Sequence, residues 1–375
     1  MKRLLLISIS ALFLGSVWAG EFEDGVAAFQ RKDYAQALRS FEGEAAKGDK
    51  RAQSSLGTLY QDGLGVEKDY AVALKWLTLA AAQGDASAQF NLGLAYENGM
   101  GLAQDYTEAL KWYRLAAAQD MARAQSNIGI MFQSGRGLVK DSAEAFKWFS
   151  LAAAQGYSTA QTNLGFLYSD GQGVQKDPAE ALKWFGLAAA QGDAQAQLNL
   201  GSMYSDGKGV TKDLPEALKW FKLAATQGFA QAQYNLGLMY ANGEGAPKDY
   251  AEAFKWFGQA AVQGLAQAQH AYALMYANGL GIVQDKGAAL KWYRLAAAQG
   301  LGRAQNNLGT MYAKGDGLER DDLLAHMWFD LAAASGESEP AKNRDFLSKR
   351  MTSQQIGEAQ KMAHECQQRN FKNCD

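Results

Sequence analysis

Tryptophan recurs every 36 residues along most of this chain. Eight of the nine tryptophans keep this spacing, with no insertion or deletion between them: Trp76, Trp112, Trp148, Trp184, Trp220, Trp256, Trp292 and Trp328. A fixed period of this length is typical of short helical units that stack on one another, because one unit cannot bury its apolar face alone. The period therefore predicts a repeat protein, and it directs the search for function from a catalytic pocket to an extended surface.

Each repeat has the pattern of two helices joined by a loop. In one copy, residues 86–96 form the predicted first helix, a Gly-x-Gly loop ends it, and residues 105–119 form the predicted second helix. Asp105 is a suitable N-cap, and Glu108 occupies the third helical position, as in a capping box. In most copies the second helix ends at a Gln-Gly pair, as at Gly84, where glycine suits the left-handed conformation that follows a helix. The sequence thus predicts helix–turn–helix units.

Small and large residues occupy fixed positions of the repeat. Glycine recurs inside the first helix of seven repeats, with Ala273 as the exception: Gly57, Gly93, Gly129, Gly165, Gly201, Gly237 and Gly309. Because glycine inside a helix costs up to about 1 kcal/mol relative to alanine, its repetition predicts a close helix contact. One face of the second helix is predicted to pack inward, with the tryptophans as the stacking seam. In the first repeat this face consists of Ala73, Trp76, Leu79 and Ala80.

Together these positions resemble the Sel1-like repeat, a relative of the tetratricopeptide repeat. The composite of the copies in this chain reads A-x-A-Q-x-N-L-G-x-x-Y-x-x-G-x-G-V-x-K-D-Y-x-x-A-L-K-W-x-x-L-A-A-A-Q-G. The resemblance implies an all-α fold, a right-handed α-solenoid of eight helix–turn–helix repeats over residues 50–336. Residues 20–49 are predicted to be an N-terminal capping hairpin, and residues 337–375 to be C-terminal capping helices with a cysteine-containing tail. In that tail, Thr352 and Gln355 predict a capping box that opens the last helix.

Residues 1–19 have the features of a secretory signal peptide. Lys2 and Arg3 give a positive end, residues 4–17 are apolar, and cleavage is predicted after Ala19. The apolar stretch is short for a membrane span, although an uncleaved anchor is the alternative. Cleavage would change the formal charge from −2 to −4, and such a mildly acidic chain is a poor candidate for nucleic-acid binding. We therefore expect an exported, soluble periplasmic protein without stable membrane insertion, with secretion beyond the periplasm as a second possibility.

No group of residues in the sequence predicts catalysis, a cofactor or a metal site. The three histidines lie in different parts of the chain and share no metal-ligand spacing: His270, His326 and His364. Gly-x-Gly recurs from loop to loop, which indicates a structural turn rather than a phosphate-binding loop. Cys366 and Cys374 can form a disulfide after export if the chain turns back near Asn370. Two free thiols, or a redox or nucleophilic role, are the alternatives.

Positions that vary between repeats offer a candidate binding surface. On the first helix, positions 90 and 94 and their counterparts lie opposite Leu92. In relatives of this fold the first helices line a concave groove, so the resemblance places an apolar stripe there, which suggests docking of a protein or extended peptide. The alternative is that these side chains pack between adjacent first helices. This first-helix stripe consists of Phe90, Leu94, Ile130, Phe166, Leu198, Tyr234, Leu238, His270 and Leu274.

The leading functional hypothesis is a non-catalytic periplasmic scaffold or adaptor that binds a protein or peptide in its groove. Exported Sel1-like proteins imply a role in envelope signalling, in assembly of envelope complexes or in host contact. One alternative is an envelope hydrolase of β-lactamase type, although the sequence supplies no nucleophile with an adjacent base. Another is a peptidoglycan- or carbohydrate-binding module that uses the aromatic ladder, which would require exposed tryptophans.

Overall fold

A computed structural model describes residues 20–336 and 338–374, so the predicted signal peptide lies outside the described residues. Within these ranges the chain is helical, with loops and no strand. No helix of this part is long and apolar enough to cross a bilayer. The helices are α1 (Glu21–Gln30), α2 (Tyr34–Ala46), α3 (Lys50–Asp62), α4 (Tyr70–Ala82), α5 (Ala86–Asn98), α6 (Tyr106–Ala117), α7 (Ala122–Ser134), α8 (Ser142–Ala154), α9 (Ser158–Asp170), α10 (Pro178–Ala190), α11 (Ala194–Asp206), α12 (Leu214–Thr226), α13 (Ala230–Asn242), α14 (Tyr250–Val262), α15 (Ala266–Asn278), α16 (Lys286–Ala297), α17 (Gly302–Lys314), α18 (Asp322–Ala333), α19 (Ser338–Ser348) and α20 (Ser353–Gln368).

The chain divides into two compact units, one ending at Tyr157 and the other beginning at Ser158. The first unit contains the hairpin α1–α2 and three helix pairs, from α3 to α8. The second contains five helix pairs, from α9 to α18, followed by α19 and α20. In each unit the two helices of a pair pack together, and a second helix also packs on the first helix of the next pair. The predicted fold class, an all-α solenoid of helix pairs with helical caps, is confirmed.

Helix ends follow the predicted capping chemistry. An aspartate precedes the second helix of every repeat, and the Asp105 carboxylate accepts hydrogen bonds from the backbone N–H groups of Thr107 and Glu108, at 2.8 and 3.0 Å. The Glu108 carboxylate pairs with the neighbouring Lys111. At the last helix, Thr352 and Gln355 form the predicted capping box.

The close contact predicted at the first-helix glycines is confirmed, and its partner is the residue after the tryptophan. A Cβ atom on Gly201 would lie 2.6 Å from Cδ1 of Phe221, and one on Gly57 would lie 2.6 Å from Cγ of Leu77. The expectation that Leu79 packs inward is wrong, because its side chain is 43% exposed while Leu77 is fully buried. Two residues along a helix differ by about 200°, so an inward Leu77 places Leu79 toward solvent.

The tryptophans pack between successive repeats, in agreement with the predicted stacking seam. Trp112 packs against an apolar cluster that contains Leu77 of the preceding second helix and Leu92 of its own repeat. Trp256 and Trp328 are buried, whereas the other six of the series are half-buried. The ladder therefore serves mainly to join neighbouring repeats.

A glutamine bridge, not predicted from the sequence, links three helices at several junctions within each unit. The Nε2 atom of Gln197 donates to the carbonyl of Ala189 on the preceding second helix at 3.2 Å, and its Oε1 accepts from Gln227 at 2.8 Å. Gln197 is buried, so the bridge satisfies polar groups that would otherwise be costly. Both hydrogen bonds also form at Gln53, Gln89, Gln233 and Gln269. The signal in the sequence is the glutamine that recurs in each first helix of the eight repeats and at the end of seven of the eight second helices.

The last repeat differs on one face of its second helix. In the other seven repeats this face carries an exposed lysine. Four residues later it carries a leucine, except in the sixth repeat, where the residue is Gln259; we call this the lysine–leucine face. In the last repeat Met327 replaces the lysine, and both Met327 and Leu331 are buried. They belong to one apolar cluster with Leu347 of α19 and Ala363 of α20. Helices α19 and α20 both pack on α18, and they cover this face.

A disulfide closes the C-terminal tail. Cys366 and Cys374 are bonded, with their Cα atoms 5.3 Å apart. The chain reverses at Asn370 and Phe371, whose backbone φ angles of 50° and 61° are left-handed. A Cβ atom on Gly300 would lie 3.2 Å from the Phe371 ring, so the tail reaches the end of α16 in the seventh repeat.

Candidate interaction surface

The residues of the first-helix stripe lie on first helices, but two of them belong to the core. Phe90 is 4% exposed and Leu198 is 9% exposed, which corrects their assignment to a binding surface. The remaining seven are half-buried: Leu94, Ile130, Phe166, Tyr234, Leu238, His270 and Leu274. Two of these seven lie in the first unit and five in the second.

Part of the burial of the stripe comes from the second helix of the same repeat. The ring centroid of Phe90 lies 5.6 Å from that of Tyr113, and the ring centroid of Tyr234 lies 5.7 Å from that of Phe257. His270 makes the same contact with Tyr293, at 5.7 Å. These contacts join the two helices of one repeat. Adjacent first helices also meet at the stripe, as the alternative predicted, because Cζ of Arg123 on α7 lies 4.7 Å from the ring centroid of Phe90 on α5.

A polar cavity adjoins the stripe in the second unit. Its volume is about 300 Å³, and its walls come from α15, α17 and α19: His270, Arg303, Asn306, Asn307 and Glu339. The Nε2 atom of His270 lies 3.0 Å from Nδ2 of Asn307. On the opposite side, Asn343 Nδ2 donates to Asn306 Oδ1 at 3.0 Å. The cavity thus joins the last two repeats to the first capping helix.

The tyrosines near this cavity remain neutral at physiological pH. Burial raises the pKa of Tyr234, and the charge of Arg303 opposes part of that effect. Burial also raises the pKa of Tyr293, which a hydrogen bond from Asn307 opposes in part. The side chains of Arg303 and Glu339 carry charge at the cavity, and the Asn306 and Asn307 amides supply neutral hydrogen-bonding groups.

One arrangement in the second unit resembles a catalytic triad. His326 Nε2 lies 3.1 Å from Ser348 Oγ, and His326 Nδ1 lies 4.0 Å from Asp330 Oδ2. The second distance is too long for a hydrogen bond, and Asp330 instead accepts one from Arg344 at 3.0 Å. The Ser348 hydroxyl donates to the Arg344 carbonyl at 2.9 Å, so its proton is directed away from the imidazole.

The surroundings of His326 suit packing better than turnover. The side chain is 1% exposed, and burial lowers its pKa, which favours the neutral imidazole. It links α18 to α19 beneath the C-terminal cap, so the group fastens that cap. Across residues 20–336 and 338–374, no three His, Cys, Asp or Glu side chains come together as metal ligands.

A second apolar surface, also missed from the sequence, lies on the lysine–leucine face. The leucine three residues after the tryptophan is 43–51% exposed in both units. Its members are Leu79, Leu115 and Leu151 in the first unit, and Leu187, Leu223 and Leu295 in the second. Exposed large apolar side chains in a regular array are characteristic of interaction surfaces.

Comparison with known proteins places this architecture in a family. A family model of the Sel1 repeat matches residues 50–85, 86–121, 122–157, 158–193, 194–229, 230–265, 266–301 and 302–337. Among solved structures, the chain is similar to a protective antigen with an SLR fold present in uropathogenic Escherichia coli strains. Identity is 30% over 94% of this chain and 85% of that chain, with a TM-score of 0.57.

A Sel1 repeat protein from Oxalobacter formigenes is also similar. Identity is 37%, the match covers 64% of this chain and 97% of that chain, and the TM-score is 0.60. No curated protein matches the sequence. The chain therefore belongs to the Sel1 repeat family, whose members generally act as scaffolds for protein–protein interaction.

Proposed function

We propose that this protein is a non-catalytic periplasmic scaffold that binds a protein or extended peptide along the first helices of its second unit. The observation that carries the proposal is the juxtaposition of half-buried apolar side chains with a polar cavity. Tyr234, Leu238 and Leu274 provide apolar contact area, and His270 and Asn307 provide polar groups at its edge. Binding sites commonly combine apolar area with a few polar groups that fix the orientation of the bound segment.

The proposed compartment rests on two features of the chain. Residues 1–19 have the features of a signal peptide, and Cys366 and Cys374 form a disulfide. Disulfides persist in oxidising compartments such as the bacterial periplasm. Within that compartment, a scaffold of this kind would take part in envelope signalling or in assembly of envelope complexes.

Recovery of a partner by matched variants tests the proposed site. The chain from residue 20 onward, carrying an affinity tag, would be exposed to native envelope extract as wild type, Leu238→Glu and Leu94→Glu. Both leucines occupy the same position of their repeats and are half-buried, but they lie in different units. We expect Leu238→Glu to reduce recovery of the partner about tenfold, because a charge would replace apolar contact area, and Leu94→Glu to leave recovery unchanged.

Circular dichroism and thermal unfolding would establish that both variants fold. Equal recovery by folded Leu238→Glu and wild-type protein would show that the second unit does not bind through this surface. The proposal also predicts no saturable hydrolysis of a chromogenic β-lactam by the purified chain. Hydrolysis that disappears in Ser348→Ala would instead identify an enzyme.

A further inference from the structure

A cavity of about 540 Å³ opens on the lysine–leucine face of the sixth repeat. Residues from α14 and α15 provide most of its wall: Phe254, Gly258, Gln259, Val262, Gln263 and Tyr272. The wall is mainly apolar and aromatic, with amide groups and the Lys255 side chain at its edge. All of it lies in the second unit, away from the polar cavity beside His270.

The cavity forms where two positions depart from the repeat, Tyr272 and Gln259, and where a variable position holds glycine, Gly258. Tyr272 stands where the other seven repeats have leucine or isoleucine, and its larger side chain remains half-buried. Gly258 makes room for this ring, since a Cβ atom there would lie 3.0 Å from Cε2 of Tyr272. Gln259 replaces the leucine that every other repeat has on the lysine–leucine face. In so regular an array, departures that meet at one place indicate a local requirement.

Aromatic contacts hold the floor of the cavity in position. The ring centroid of Tyr272 lies 4.6 Å from that of Phe254 and 5.2 Å from that of Trp292. The hydroxyl groups of Tyr272 and Tyr276 lie 3.4 Å apart. The ring of Tyr272 is therefore fixed from several sides, which presents a preformed apolar surface rather than a mobile side chain.

The surroundings of the cavity show what kind of element packs there. Gln259 occupies the same repeat position as exposed Leu223 in the preceding repeat and exposed Leu295 in the following one. In the eighth repeat this position is Leu331, which the C-terminal helices of the chain cover. Phe371, just beyond α20, already reaches the end of the helix that carries Leu295. The open surface is thus continuous with one on which the chain packs its own helix.

Helix α20 illustrates the chemistry of a suitable occupant. Its buried residues Ala359, Ala363 and Cys366 share one face of the helix, whereas Glu358 and Lys361 are exposed. On the open surface, Lys219 and Lys255 pair with glutamates of their own helices, at 2.6 and 3.2 Å. Attraction there depends on apolar contact more than on net charge. An amphipathic helix meets these conditions.

We infer that the lysine–leucine face of the second unit binds an amphipathic helix of a partner protein. A large apolar side chain of that helix occupies the cavity beside Gln259, and its other apolar residues contact Leu223 and Leu295. This interface is separate from the first-helix site proposed above, so either can fail without the other.

Site-specific photo-crosslinking tests this inference in the full chain. The photoreactive residue p-benzoylphenylalanine would replace the exposed Gln259, and crosslinked sites would be identified by mass spectrometry after irradiation of intact cells. We expect the crosslinks to map to one face of a helix in one protein. Val262→Glu should reduce their yield about tenfold, because Val262 is 77% exposed at the cavity. The matched control Val283→Glu changes a valine that is 85% exposed in a loop, and it should leave the yield unchanged.

The inference is overturned if Gln259 gives no crosslink, or if its products lack helical spacing or contain lipid or sugar. It is also overturned if Val262→Glu leaves the yield unchanged. The same photoreactive residue at Leu238 reports on the first-helix site. Crosslinks from Leu238 without crosslinks from Gln259 would reject this inference and leave the proposed function standing.

Discussion

The fifth and eighth repeats share one sequence pattern, yet the second helix of the eighth repeat buries an additional face. In the fifth repeat Lys219 and Leu223 are exposed to solvent. At the same positions of the eighth repeat, Met327 and Leu331 are buried beneath the C-terminal helices. A repeat therefore changes its lysine–leucine face from surface to core by few substitutions, provided that a helix is present to cover it.

We expect the largest difference in stability when the lysine of the fifth repeat and the methionine of the eighth are exchanged. Met327→Lys would place an unpaired charge beneath the cap, and we expect it to destabilise that region by about 3–5 kcal/mol. Lys219→Met should change stability by less than about 0.5 kcal/mol, because it removes only an exposed ion pair. Hydrogen exchange of α19 and α20 would measure the first effect, and thermal unfolding would measure both. Equal losses in the two variants would contradict the comparison.

The glycines of the second unit provide a test of intermediate size. A Cβ atom on Gly201 would meet the Phe221 ring at 2.6 Å, whereas one on Gly186 would meet nothing within 4 Å. Gly201→Ala should destabilise the protein by about 1–3 kcal/mol through overpacking. Gly186→Ala, also within a helix, should stabilise it by up to about 1 kcal/mol. Denaturant titration would show changes of opposite sign, and a gain in stability from Gly201→Ala would refute the close contact.

The smallest expected effect is a pH dependence confined to the eighth repeat. Burial lowers the pKa of His326, although Asp330 and Asp345 oppose part of this and Arg344 adds to it. Below the unfolded pKa of about 6.5, the unfolded chain binds more protons, so the cap loses stability as the pH falls. His326→Gln should flatten the change in α19 protection between pH 7 and pH 5. The fifth repeat has Leu218 at this position, and its protection should not share the dependence.

The 36-residue period predicts the architecture because every interface is a copy of the next. The period does not show which side chains of the second helix face the core. Trp76 is only half-buried at a junction between repeats, whereas Leu77 faces the core. Phe90 looked accessible because its burial depends on Tyr113, a ring on another helix. The cavity beside Gln259 was hidden for a similar reason, since departures in two different helices create it.

The glutamine bridges restrict how the length of such an array can change. Each bridging glutamine bonds to a carbonyl eight residues back and to a glutamine thirty residues ahead, as Gln233 bonds to Ala225 and Gln263. Within a unit, gain or loss of one whole 36-residue block preserves both spacings, because any copy can replace its neighbour. A shorter insertion within the block breaks at least one of them. Natural variation in the size of these proteins should therefore come in whole multiples of the repeat, by recombination between similar copies.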